Sequence, residues 1–281
     1  MKVFQKAELL ARYRKKHQGS VGFVPTMGAL HQGHLSLLSY SIQKNEQTYC
    51  SIFVNPSQFD NQQDLERYPN TVQSDLDALL DLGVDVVYIP DVEEVYPQGD
   101  EQNKYDLNGL DLAIEGASRP GHFQGVANVL DRFFRLIEPS RVYFGQKDYQ
   151  QTLVVKRLVE ILDLPTTVEV CPIVREDHGL AMSSRNTHLS PEERQEAAII
   201  RNTLLWIEQE ARRNPHRLSS ILREAREKIN SHPMFQVDYL LAADAETLVE
   251  FEDPPFPDEL VLLTVVECGP VRLLDNHLIQ L

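Results

Sequence analysis

His31 and His34 stand three residues apart behind a glycine-bearing turn, in the run VGFVPTMGALHQGHLSLL that spans Val21 to Leu38. That spacing places both imidazoles on one face at the start of a helix, where the first backbone N–H groups lack intrahelical partners and the dipole end is positive. A polyphosphate supplies the missing acceptors. The imidazoles can donate to its oxygens while the dipole resists their permanent protonation, which suits groups that stabilise charge developing in a transition state. Gly28 and Gly33 let the backbone approach such a ligand closely. Two metal- or phosphate-binding alternatives fit less well. The G-x-x-x-x-G spacing of a P-loop is present, but the lysine and hydroxyl that should follow are replaced by His-Leu. His-Gln-Gly-His also lacks the glutamate of HExxH and a nearby third ligand, which disfavours zinc. A pair of surface histidines on an ordinary helix is the plain alternative.

Other groups capable of chemistry fall at corresponding places. Asn55 and Gln58 follow a second apolar run, and Gln58 can hydrogen-bond a hydroxyl or carboxylate, although Asn-Pro is by itself ordinary turn chemistry. Gly145-Gln146-Lys147-Asp148 occupies another strand-to-helix turn. There Lys147 offers a compact positive charge to a phosphate, Asp148 can accept from ribose hydroxyls, and Gln151 lies a turn further on; a capped helix with solvated charge is the alternative. Ser183, Ser184 and Arg185, in the loop GLAMSSRN, put two hydroxyls and a fork of donors in consecutive positions, able to grip the outer phosphates of a nucleotide and move with them.

These groups need a scaffold that brings loop ends together. Apolar runs at Val21–Val24, Tyr49–Val54, Val84–Ile89, Val142–Phe144 and Thr167–Val174 alternate with helical patterns over Leu30–Leu38, Leu76–Leu80, Val126–Ile137 and Leu153–Leu162. Strand, helix, strand predicts right-handed parallel crossovers, and in such sheets ligands collect outside the carboxyl ends of the strands. Residues Asp60 to Tyr68 are polar and predict a surface segment that can act as a lid. Between Asp91 and Gly125 the pattern gives way to a long connection containing EGASRPGHF, a functional loop or a disordered one. Beyond Val174 the composition turns to charged helices, starting at a capping box, Ser190-Pro191-Glu192-Glu193. Three strand-like runs around 237–241, 260–266 and 271–274, joined without helices, predict a small antiparallel sheet and hence an α+β second domain.

Composition narrows the partners. A net charge of −15 argues against sequence-independent attraction to nucleic acid or anionic membranes, leaving small molecules as the expected ligands. Cys50, Cys171 and Cys268 are scattered and form no CxxC pair, so neither a disulfide framework nor a zinc cluster is expected and a reducing cytoplasm is. No apolar run approaches the length of a membrane span.

Taken together, PTMGALHQGH (Pro25–His34), FVNPSQF (Phe53–Phe59), FGQKDYQQ (Phe144–Gln151) and MSSRN (Met182–Asn186), in this order and spacing, resemble the pantoate–β-alanine ligases. RPGHFQGV in the long connection and RLLDN at Arg272–Asn276 extend the likeness along nearly the whole chain. The resemblance implies a Rossmann-like, HIGH-type nucleotidyltransferase domain with a parallel sheet over residues 1–174, and a smaller α+β domain over 175–281 that carries the phosphate-clamp loop at its start. It implies a homodimer that uses ATP with Mg2+. Pantoate's carboxylate attacks the α-phosphorus to give pantoyl adenylate and pyrophosphate, and β-alanine's amine then displaces AMP.

By the same resemblance, His31 and His34 contact phosphate, with His34 the proton donor, and Lys147 stabilises the transferring group. Met27, Gly28, Gly145, Gln146, Asp148, Val174 and Met182 lie around ATP, with Ser183, Ser184 and Arg185 as the mobile clamp. Gln58 and Gln151 hold pantoate, with Gln58 also near β-alanine. Gln146 stands where many relatives carry glutamate, and Ser74-Asp75 replaces an acidic pair near the metal region of some relatives, so the protein ligands of Mg2+ stay open. The rival readings are another HIGH-type nucleotidyltransferase that transfers to a phosphate, an aminoacyl-tRNA synthetase fragment, which the lack of an added basic region disfavours, and a nucleotide-binding regulator without turnover.

Overall fold

Consecutive parallel strands cannot be joined by tight turns, so the alternation of short apolar runs with amphipathic helices in the first 172 residues builds a crossover sheet. In the computed structural model, which describes residues 1–59, 65–66, 68–97, 99 and 103–281, that sheet has six strands. They are β1 (Lys2–Phe4), β2 (Val21–Thr26), β3 (Gln47–Ile52), β4 (Val86–Tyr88), β5 (Arg141–Gly145) and β6 (Thr167–Cys171), in the order β1-β4-β3-β2-β5-β6. Every neighbouring pair is parallel. From β2 the chain winds outward to β3 and β4, and then returns to place β5 on the other side of β2. The carboxyl ends of β2 and β5 therefore flank the switch point where doubly wound sheets bind ligands.

Two details of this sheet depart from the reading of the sequence. Strand β1 escapes it because three residues are too few to show a period. Pro25 does not stop β2, which runs on to Thr26: β2 meets β5 only at Gly22 and Phe23, so the missing N–H of Pro25 lies beyond that pairing.

The helices of eight residues or more in this part are α1 (Ala7–Lys16), α2 (Gln32–Lys44), α3 (Val72–Leu82), α4 (His122–Ile137) and α5 (Tyr149–Ile161). Leu37 and Leu38 of α2 and Leu79 of α3 pack with Val24, Cys50, Ile52 and Val87 of the sheet. Helix α3 stops at Gly83, whose φ of +88° is the left-handed conformation that ends a helix without a Cβ penalty. Helix α4 starts at His122, four residues before the expected Val126.

The long connection is tied to α4 by two amides. Gln124 exchanges hydrogen bonds with both backbone groups of Tyr105 (3.0 and 2.9 Å), and Asn128 does the same with Asn103 (2.8 Å each). Each side chain thereby imitates a strand neighbour. The expected lid falls mainly on residues 60–64 and 67, outside the described residues.

The chain forms two compact units, residues 1–145 with 150–172, and 146–149 with 173–281. In the second, the capping box is formed, with Ser190 Oγ accepting from the Glu193 N–H and Glu193 accepting from the Ser190 N–H. The long helix it was expected to start breaks at Ala197, giving Pro191–Glu196 and then α6 (Ala198–Arg213); α7 (Leu218–Asn230) follows. Strands β7 (Gln236–Asp244), β8 (Leu260–Cys268) and β9 (Val271–Ile279) form the antiparallel sheet expected, in sequence order. Ile200, Leu204 and Ile207 of α6 and Ile221, Leu222 and Ile229 of α7 pack with Leu240, Leu262, Val266 and Leu273 of that sheet. This sets the fold as α/β with a second, α+β part.

All three thiols are free and buried, and burial pushes Cys50 up to about 12 and Cys171 and Cys268 up to about 11. At pH 8 roughly one in a thousand or fewer is thiolate. Iodoacetamide is expected to leave the native protein unmodified over minutes and to alkylate all three positions after denaturation, as read by intact mass. No helix among the described residues is long and apolar enough to cross a membrane.

Candidate functional site

The turn that leaves β2 is shaped by an unusual pair of backbone conformations. Gly28 and Ala29 both have positive φ, +82° and +51°, and for a residue with a Cβ this costs roughly 1 kcal/mol. The carboxylate of Asp75, on α3 and 3% exposed, offsets that cost by accepting the N–H of Ala29 (3.0 Å) and of Leu30 (2.9 Å). Thr71, at the N-cap position of α3, makes no cap bond; its hydroxyl donates to Asp75 instead (3.0 Å). Gly28 also needs its lack of a Cβ, which would lie 3.0 Å from Asp75 Oδ2. The sequence sets Asp75 only beside Ser74 near the metal region, and its hold on this turn is not legible there because its partners are 45 and 46 residues away.

With the turn fixed, α2 begins at a capping box made of two histidines. His31 Nδ1 accepts from the Gly33 N–H (3.1 Å), and His34 Nδ1 accepts from the His31 N–H (3.4 Å). A backbone N–H can only donate, so both Nδ1 atoms are unprotonated and the neutral rings carry their protons on Nε2. The rings lie 4.1 Å apart, tilted by 34°, each half-buried. The helix start thus presents two fixed N–H donors of the same tautomer, the arrangement that suits an anionic group at its N-terminus.

Beyond β3, the turn Pro56–Gln58 holds the first predicted acid-binding residue. Gln58 Nε2 donates to Met27 Sδ at 3.1 Å, so the loops after β2 and β3 meet. Its backbone carbonyl accepts from His122 Nδ1 (2.7 Å) and Arg119 (3.3 Å), which gives the RPGHFQG segment a local task that its letters alone did not reveal. Gly125 of that segment is obligatory, since a Cβ there would come within 2.2 Å of the Ser57 carbonyl oxygen. In α5, Gln150 is buried and spends its amide on Leu110 and Ala113 carbonyls and the Glu115 N–H, whereas Gln151 beside it is half-buried.

Gly145 ends β5, and Gln146–Asp148 forms a single 3-10 turn within the second unit. Both its carbonyls at Gln146 and Lys147 accept from Asn276 Nδ2 on β9 (2.9 and 3.0 Å), and the Gln146 amide donates to Asn276 Oδ1 (3.1 Å). Lys147 Nζ lies 3.3 Å from Asp148 Oδ1. Tyr149 follows with its hydroxyl on the Ala245 carbonyl, and burial pushes its pKa up to about 12, so it remains a donor.

Val174 and Met182 are paired through the Met182 N–H to Val174 carbonyl bond (3.0 Å), which pinches off the loop before the Ser-Ser-Arg run. Ser183 caps the turn Ser184–His188, accepting from the Arg185 N–H, and buried Asn186 donates to Glu176 (2.9 Å) and the Ala181 carbonyl (3.1 Å). Arg175 reaches Asp275 with two hydrogen bonds of 2.6 and 2.9 Å. Within the first unit, then, lie Met27, Gly28, His31, His34, Gln58, Gly145 and Gln151; within the second lie Gln146, Lys147, Asp148, Val174, Met182, Ser183, Ser184 and Arg185.

Among the described residues no group of three or more His, Cys, Asp or Glu could hold a metal ion, and both oxygens of Asp75 are engaged by backbone N–H groups.

The family model for pantoate–β-alanine ligase matches residues 2–278. The pantothenate synthetase of Roseiflexus sp. (strain RS-1) is 41% identical over 280 residues, covering 100% of both chains, and that of Porphyromonas gingivalis (strain ATCC 33277) is 40% identical over 264 residues, 94% of this chain and 93% of its own. Among solved structures, pantothenate synthetase from Thermus thermophilus superposes with a TM-score of 0.91 at 40% identity, covering 99% of each chain. The pantoate–β-alanine ligase of Francisella tularensis, solved in complex with β-γ ATP and β-alanine, gives 0.78 at 33% identity over 99% of this chain and 97% of its own. With a match that runs from end to end and the expected residues at the strand ends of the expected sheet, the chain belongs to the pantoate–β-alanine ligase family.

Proposed function

We propose that the protein condenses pantoate with β-alanine, using ATP, through a pantoyl adenylate. A carboxylate is a poor acyl donor. Attack of its oxygen on the α-phosphorus expels pyrophosphate, and the amine of β-alanine then adds to the activated carbonyl and expels AMP. The whole-length family match supports the reaction, and the paired Nε2–H donors at the start of α2 are the local feature that carries it. A triphosphate at this helix start can accept hydrogen bonds from both rings, whose orientation the capping bonds already set.

In this reading His31 and His34 bind phosphate oxygens, with His34 the proton donor, and Lys147 offsets charge on the transferring group. Met27, Gly28, Gly145, Gln146, Asp148, Val174 and Met182 serve ATP, and Ser183, Ser184 and Arg185 form the clamp on its phosphates. Gln58 and Gln151 hold pantoate, Gln58 also serving β-alanine. Residues 1–174 act as the nucleotide- and pantoate-binding domain and residues 175–281 as the clamp-bearing one. Mg2+ would enter with ATP and offset charge on its phosphate oxygens, with no protein ligand assigned to it. A homodimer is proposed on the resemblance alone. Action in the cytoplasm is proposed with the three free thiols in support.

The test is an omission series with MgATP, pantoate and β-alanine, the amide identified by mass. AMP is expected only when acid and amine are both present, and pyrophosphate exchange only when pantoate is. Pyrophosphate release with the AMP moiety retained on a phosphate acceptor would favour a different nucleotidyltransferase, and ATP binding without pantoate-dependent exchange would favour a regulator.

A further inference from the structure

Behind the Gln58 turn lies a closed polar network that the reaction chemistry does not use. Asn55, 1% exposed, fills all four of its hydrogen-bonding positions: Nδ2 donates to the Gly125 carbonyl (3.2 Å) and to Gln58 Oε1 (3.1 Å), and Oδ1 accepts from Tyr96 (2.7 Å) and Ser57 (2.9 Å). The orientation of both amides follows from the partners. The Gly125 carbonyl can only accept, so the Asn55 atom facing it is the –NH2 group. The atom of Gln58 that meets the second proton of that group must then be its oxygen. Gln58 is left presenting its own –NH2, one proton of which rests on the weak sulfur acceptor of Met27. Tyr96 closes the network from the far side with the shortest bond in it, and is itself buried, 5% exposed, with the Arg132 guanidinium 4.8 Å above its ring.

We propose that Tyr96 is a positioning residue for acid binding: with the orientation of Asn55 set by the Gly125 carbonyl, the Tyr96 hydroxyl holds Asn55 in place and through it the side-chain amide of Gln58, its donor end presented to the oxygens of the acid substrate. An amide turned the other way would offer its oxygen to an anion, a repulsive contact where an attractive one is needed. The network thus selects substrates with acceptor oxygens at this point and disfavours those that place a donor there. The sulfur is a neighbour readily given up, so the –NH2 group costs little to redirect onto a carboxylate or hydroxyl oxygen. The proposal rests on the reading that Gln58 holds pantoate.

Tyr96→Phe removes one oxygen and keeps the ring, its packing and the contact with Arg132. The expected result is a rise of about tenfold in KM for pantoate, the scale of one lost hydrogen bond to a buried polar group. The KM for ATP and kcat should change less than twofold. Gln58→Ala supplies the reference: it should raise the pantoate KM further, and Tyr96→Phe added to Gln58→Ala should then change that KM less than twofold, because the group being positioned is gone. A Tyr96→Phe enzyme with an unchanged pantoate KM, or one whose effect is equally large in the Gln58→Ala background, overturns the proposal. If Gln58→Ala itself leaves the pantoate KM unchanged, it is the reading of Gln58 as an acid ligand that fails. Circular dichroism and a melting curve on each variant establish that the native fold is being compared.

Discussion

Lys147→Ala is expected to slow adenylate formation about 10²-fold or more while the protein remains folded. The two halves of that statement have separate causes. The fold is indifferent to the side chain, because the turn that carries it is held by its backbone: the carbonyls of Gln146 and Lys147 both rest on Asn276. The ammonium makes one long contact, 3.3 Å to Asp148, an adjacent residue whose side chain is half exposed. Charge opposite a phosphorus that becomes more negative as it is attacked acts on the transition state more than on bound ATP, so the loss falls mainly on the rate. Lys147→Arg should restore the rate only in part, since a planar fork replaces a compact charge. Rapid-quench single turnovers with labelled ATP give the rate, and a melting curve checks the fold. Adenylate formed at the normal rate by Lys147→Ala would remove Lys147 from the mechanism.

Asp75→Ala is expected to act on both stability and rate. It deprives the Ala29 and Leu30 N–H groups of their carboxylate and leaves a left-handed alanine without the bonds that hold it. Breaking such charge-assisted bonds to a buried group costs on the order of 3 kcal/mol. The rate should fall as well, by about 10²-fold, because displacement of the His31 and His34 donors by an ångström is enough for that. Asp75→Asn, which keeps the shape and one acceptor oxygen, should lie between the variant and the parent. The half-saturating Mg2+ concentration, measured alongside, should stay constant if the carboxylate serves the backbone alone. A melting temperature and single-turnover rate both unchanged in Asp75→Ala would contradict this account.

Much of the architecture could be read from the letters because it depends on local patterns. The β2–α2 junction, the Gly83 stop and the Ser190 capping box follow from residues within a few positions of one another. So does the alternation that dictates a parallel sheet, and with it the place where ligands collect. Errors concentrated where local pattern is silent or is overridden by pairing: the three residues of β1, Pro25 inside a strand, and the early start of α4 behind Gly121 in the left-handed region.

Within the candidate site, the groups proposed to meet a ligand stand out by type and by position near strand ends, whereas the tasks of the residues that bond to their turns do not. Asp75, Tyr96 and Asn276 act across 45 or 46, 41 and 129 or 130 residues of chain, respectively. Their letters carry no periodicity that would separate these buried residues from the polar residues of the surface. RPGHFQG did stand out, by its unusual mixture of glycine, proline and polar residues, but its job of seating the Gln58 turn required the bonds from Arg119 and His122 and the close approach at Gly125 to be seen.

Residues 146–149 belong to the second unit while the chain on both sides of them belongs to the first, and this ties the order of synthesis to the maturation of the turn that carries Lys147. When the ribosome has finished the six-stranded sheet, the amide that will seat that turn is still more than a hundred codons away. The lysine turn therefore lacks its backbone support until β9 emerges, and no single scission of the polypeptide yields two fragments that each keep a whole unit.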